Sequence, residues 1–106
     1  MSAGPKRAER DIAVINTPEN LYTVANAGGM FFSLTAFNDT GIDATIKASI
    51  GTSGTHGTHK LCPDDLPLDD VSLFEITGRV AENADVIVVE SSVVGVTFCM
   101  TARLEN

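Results

Sequence analysis

Along the 106-residue chain the apolar positions recur mainly with a period of two. In "VGVTFCMTARL", residues 94–104, Val94, Val96, Phe98, Met100, Ala102 and Leu104 fall on one side, and Gly95, Thr97, Cys99, Thr101 and Arg103 on the other. Successive side chains of a strand point to opposite faces, so this spacing predicts a half-buried strand. "DATIKASI", 43–50, repeats it with Ala44, Ile46, Ala48 and Ile50 against Asp43, Thr45, Lys47 and Ser49. "MFFSLTAFN", 30–38, sets Met30, Phe32, Leu34 and Ala36 against Phe31, Ser33, Thr35 and Phe37. Asp39 and Gly41 in the intervening "DTGI" supply turn chemistry, so these two strands are expected to form a hairpin. Phe31 and Phe37 have no partner inside that hairpin and are candidates for self-association.

Further strands are expected at "VSLFEITGRV", 71–80, and at "DVIVVES", 85–91, whose unbroken apolar run suits a strand covered on both faces. "DIAVI", 11–15, and "NLYTV", 20–24, are shorter candidates, with Pro18 at an edge or in the connection. No stretch sustains a 3.6-residue period with caps. About seven short strands with Gly, Pro and Asp turns predict an all-β fold, a single antiparallel β-sandwich of jelly-roll or Ig-like type. It is expected to span residues 16–106, preceded by an extended N-terminal arm over 1–15. Residues 51–70 form a connection long enough to be a functional excursion or to hide a short element.

The length suits one core. With seven Lys and Arg against fourteen Asp and Glu, the net charge is −7, which argues against nucleic-acid binding by the body. The bases are unevenly placed: Lys6, Arg7 and Arg10 stand against only Glu9 in the first ten residues, so a basic arm precedes an acidic body. Such an arm suits an acidic protein neighbour, with Lys6, Arg7 and Arg10 against carboxylates and Ile12 and Val14 along a neighbour's sheet edge. No apolar run approaches the length of a membrane span and no signal-peptide pattern opens the chain, so a soluble product made in the cytoplasm is expected, with no membrane partner. Cys62 and Cys99 are too few for a disulfide framework and are expected to be free thiols.

"GTSGTHGTHKLCPDD", 51–65, concentrates candidate chemistry. His56, His59 and Cys62 recur every third residue and Asp64 follows, ligand types that suit zinc or a related metal. Gly51, Gly54 and Gly57 oppose the helix that would put them on one face, and in extended chain the spacing points them to opposite sides. A surface or contact loop is therefore the leading expectation, and a metal site on His56, His59, Cys62 and Asp64 the minority one. "PDDLPLDD", 63–70, lacks the register of a calcium loop. No serine or cysteine carries a nucleophile-elbow motif and no glycine loop precedes a helix, so no enzyme activity and no cofactor are expected.

"LYTVANAGGMFFSLTAFNDTGIDATIKASIG" and, after the loop, "LFEITGRVAENADVIVVESSVVGVTFCMTA" resemble the small β-sandwich virion proteins of tailed bacteriophages. The likeness lies in a Tyr-Thr-Val strand, an Asn-rich turn, a strand ending in Asn before a Thr-Gly turn, and the "ADVIVVESS" strand before an apolar closing strand. It covers residues 21–104. Ala25 stands where such proteins often have Pro, and the middle loop is unusually rich in Gly, Thr and His. The resemblance implies a non-enzymatic head decoration, or cement, protein on the virion surface, with the major capsid protein as partner and a homotrimeric state. A tail or fibre module is the alternative, and a small metal- or ligand-binding β-domain the further one.

Overall fold

A computed structural model describes residues 4–105; residues 1–3 and 106, the outer ends of the expected arm and body, lie outside the described residues. Among the described residues there are nine strands: β1 Gly4–Asp11, β2 Glu19–Thr23, β3 Met30–Asn38, β4 Ala44–Thr52, β5 Thr55–Lys60, β6 Leu66–Leu68, β7 Ser72–Ala81, β8 Val86–Ser91 and β9 Thr97–Leu104. They make two antiparallel sheets, ordered β1-β9-β3-β7 and β2-β8-β4-β5, with β6 alongside the first half of β4.

The order has a simple origin. β1 pairs with β9, β2 with β8, β3 with β7 and β4 with β5, so the chain is one long hairpin that turns back at Ser53-Gly54. Rolling that hairpin places its successive segments alternately in the two sheets, which β3–β9 and β4–β8 pairing then closes. This is a jelly roll, with β6 added, and it decides between the two sandwich types left open by the sequence. Gly54, at φ +69°, supplies the left-handed residue the turn requires.

The inward faces are those given by the alternation, except that Val94 lies in the connection before β9 and is exposed. Met30, Phe32, Leu34 and Ala36 of β3 and Phe98, Met100 and Leu104 of β9 pack against Ala44, Ile46, Ala48 and Ile50 of β4 and Ile87 and Val89 of β8. Each large side chain among them contributes about 1.5–3 kcal/mol by leaving water. β8 is buried along its whole length, as its unbroken apolar run suggests.

Two expectations are corrected. From Gly4 to Asp11 the expected arm is strand β1, paired residue for residue with β9, and Ile12 continues the contact by donating to the Val96 carbonyl at 2.9 Å. The segment lacks apolar alternation because it is an edge strand, where charged side chains are favoured. Within 51–70, expected to be a functional excursion or to hide a short element, the second alternative holds in place of a long loop: β5 and β6 run end to end along β4. Gly51 and Gly57 allow this: a Cβ on Gly57 would sit 2.0 Å from the Ile50 carbonyl oxygen.

Candidate protein-binding surfaces

His56, His59, Cys62 and Asp64 are not gathered. His56 Nε2 lies 3.1 Å from Glu90 Oε1, and its Nδ1 lies 2.7 Å from Ser49 Oγ, which also accepts from the Gly57 N–H at 3.1 Å. Lys47 Nζ stands 3.8 Å from both Glu90 and Asp65. His59 is exposed beside an open cleft of about 570 Å³ between β4, β5 and the β7–β8 loop. Cys62 is buried under β4, which pushes its thiol pKa up. Asp64 pairs with Lys60, whose hydrogen bond holds the carboxyl below its usual range. Among the described residues no group of three or more His, Cys, Asp and Glu is placed to hold a metal ion.

Ser49, His56 and Glu90 have the residue types of a nucleophilic triad, and sequence spacing gave no sign of it. Ser49 is only 2% exposed, however, and its oxygen is already engaged by Gly57. A nucleophile must be reachable by substrate, so the set acts as a clamp for the β4–β5 tip. Asn20 completes that clamp from β2, donating to Ser53 Oγ and accepting from the Gly54 N–H.

The exposed apolar residues are not scattered. Val14 and Ile15 in the β1–β2 loop, Ile42 in the β3–β4 loop, Val71 before β7 and Val94 in the β8–β9 loop all lie at one end of the jelly roll. Glu19 sets the first loop, accepting from the Ala13 and Val14 N–H groups at 3.2 Å while pairing with Arg10 at 3.0 Å. Asn38, fully buried, sets the second: its amide donates to the Ile42 and Leu68 carbonyls at 2.8 Å, and its oxygen accepts from Thr40. Val71 is 74% exposed and held at φ +62°, a left-handed conformation that costs a β-branched residue about 1–3 kcal/mol. Exposed apolar side chains gathered at one end in this way make it a candidate docking surface.

The second surface is the outer face of the β1-β9-β3-β7 sheet. Phe31 and Phe37 project from it, beside their cross-strand partners Val80 and Leu73 on β7. Cys99 is half-buried there, its thiol donating to Glu9 Oε2 at 3.2 Å; burial first, then Glu9, raises its pKa. Little thiolate is therefore present for disulfide exchange.

Of the residues expected to meet a partner, Lys6, Arg7 and Arg10 are exposed on β1, and Val14 stands in the apolar end. Ile12 is the correction: at 1% exposure it belongs to this chain's own core, because β1 docks on β9. Ile15, Val71 and Val94 are corrections as well: the sequence assigned them to strands 11–15, 71–80 and 94–104, but they lie in the connections and are exposed. Ile42 was read as part of a turn, and only the fold gathers the four at one end.

No family model matches the chain, and no curated protein matches it. Its fold is similar to that of a solved structure from work describing Bacillus endospore appendages as a novel family of disulfide-linked pili. The two share 16% identity at a TM-score of 0.63, over 98% of this chain and 90% of that one. At that identity the likeness establishes a shared fold.

Proposed function

We propose that this protein is a non-enzymatic structural component of a tailed-phage virion, a decoration protein that seats on the major capsid protein and stabilises the head shell. The observation that carries a docking role is the apolar end, where Val14, Ile15, Ile42, Val71 and Val94 are presented by four different loops. Nothing in the core needs them there, and Val71 is kept in a strained conformation at the most exposed point. Asp39, Asp43, Asp69 and Asp70 lie in the loops among them, so the complementary surface is apolar with a basic rim. The residue-level resemblance over 21–104 supports the virion, and the fold shared with an appendage protein supports a building-block role.

That same similarity favours a second reading, a tail or fibre module of the virion. Gold-labelled antibody against the chain, imaged on purified particles, separates the two. Label on heads is expected; label on tails transfers the protein to the second reading, and unlabelled particles overturn both.

A further inference from the structure

The outer face of the β1-β9-β3-β7 sheet has a pattern along its strands. At one end stand Phe31 and Val80, with Arg103 beside Phe31 on β9. Six residues further along β3, about 20 Å at 3.4 Å per residue, stand Phe37 and Leu73. Between these apolar poles the face is small and polar, with Ser33 and Thr35 on β3 and Thr101 and Cys99 on β9.

The charges divide the other way. Arg7 and Arg103, the latter also 3.6 Å from Glu105 of its own chain, occupy the Phe31 half, level with Ser33 and Phe31 respectively. Glu9, Glu75 and Asp11 occupy the Phe37 half: Glu9 and Glu75 are level with Thr35, and Asp11 with Phe37. The apolar pattern is thus symmetric about the middle of the face, while Arg7 against Glu9 and Arg103 against Asp11 reverse sign across the same line.

A surface with that combination is complementary to itself. We propose that this face binds the same face of a second copy, about a two-fold axis lying between the two faces and perpendicular to the strands. Rotation about that axis sets Phe31 and Val80 over Phe37 and Leu73 of the other copy, and Arg7 over Glu9. It also brings Arg103 next to Asp11 of the other copy on the adjacent strand, the isologous arrangement of a two-fold dimer. A shallow depression of about 240 Å³ beside Phe31, opened by Gly78 and flanked by Arg103, receives the incoming ring. Gly78, at φ +68°, lies where β7 shifts register against β3, a bulge that blunts the free edge of β7; the contact is through the face.

Four strands at about 4.8 Å spacing and seven residues in length give roughly 500 Å² per copy, near the lower bound for a specific interface. The dimer is accordingly of modest affinity and sensitive to salt. The proposal is independent of the virion reading. It also replaces the expected three-fold role of Phe31 and Phe37, since the charge reversal along the face is satisfied by a two-fold axis.

The test is sedimentation velocity on the untagged full chain across the micromolar range. A monomer–dimer equilibrium weakened by salt is expected. Arg7→Glu and Glu9→Arg should each raise the dissociation constant about tenfold, and the two together should restore it to within about threefold, because the swap exchanges partners symmetrically. Phe31→Ser should also abolish the dimer. All these positions are on the surface, and unchanged thermal midpoints separate lost association from lost folding. A chain that stays monomeric, an oligomer indifferent to both reversals, or a double variant weaker than either single one overturns the proposal.

Discussion

The two ends of the jelly roll are built from the same materials and present opposite surfaces. At one end the loops before β2, β4, β7 and β9 expose Val14, Ile15, Ile42, Val71 and Val94. At the other, residues 24–29 and 82–85 expose Ala25, Ala27, Gly28, Glu82, Asn83 and Ala84, with Ala27, Gly28, Glu82 and Asn83 lining an open cleft of about 510 Å³. Each end is tied by one buried asparagine, Asn38 at the first and Asn26 at the second. Asn26 donates to the Gly29 and Glu105 carbonyls, closing loop and chain end together. The ends therefore differ in what they show to a partner more than in how they are held. Loop closure alone does not require five exposed apolar side chains.

The largest expected effect breaks the apolar end. On the proposed docking role, Ile42→Asp with Val71→Asp should weaken binding to purified particles about 100-fold or more in co-sedimentation, the scale of losing a central apolar cluster. Ala27→Asp with Asn83→Asp at the other end should change it less than about threefold. Next come the two asparagines. Asn38→Ala strands two carbonyls and the Thr40 donors and should cost about 3 kcal/mol in denaturant unfolding, whereas Asn26→Ala should cost about 1.5 kcal/mol. Equal losses would mean that the two ends are not held by asparagine in the way described.

A smaller effect sharpens the comparison from the side of strain. Val71→Gly should raise stability by about 1 kcal/mol, since glycine accepts φ +62° at low steric cost, and should weaken docking at the same time. Such opposed changes are what a residue kept for binding produces.

The smallest effect concerns the thiols. Both cysteines have pKa values raised in the folded state, so the unfolded chain loses its thiol protons first as pH rises. Their contribution is fully present below the unfolded value, near 9.0, and is lost as pH climbs from there through the folded values. Stability should decline slightly above about pH 9, and less so in Cys62→Ala. Ellman's reagent at neutral pH should modify Cys99 slowly and Cys62 only as fast as the protein opens.

Legibility in the sequence followed the range of the forces involved. β3, β4 and β9 were readable because burial on one face imposes alternation on the residues themselves. β1 was not, because "GPKRAERD" becomes a strand only when β9 offers its edge, and that partner lies at the far end of the chain. β5 was masked by Gly57, which is needed for close approach to β4 and reads locally as a turn. At the candidate surfaces Phe31 and Phe37 were legible as the outward half of an alternating strand. The apolar end was not, since Ile42, Val71 and Val94 become neighbours only after four connections converge. The recurring His56, His59 and Cys62 mislead for a related reason: β5 and the turn after it send them to three different environments.

The pairing of Gly4 with Leu104 has a practical consequence. It brings the two ends of the described chain side by side at the end held by Asn26, away from Ile42 and Val71. A reporter, antigen or enzyme fused to either one, or to both at once, emerges on the side opposite the apolar loops. The protein is therefore suited to carrying cargo, which would hang outward while the apolar end faces whatever it binds.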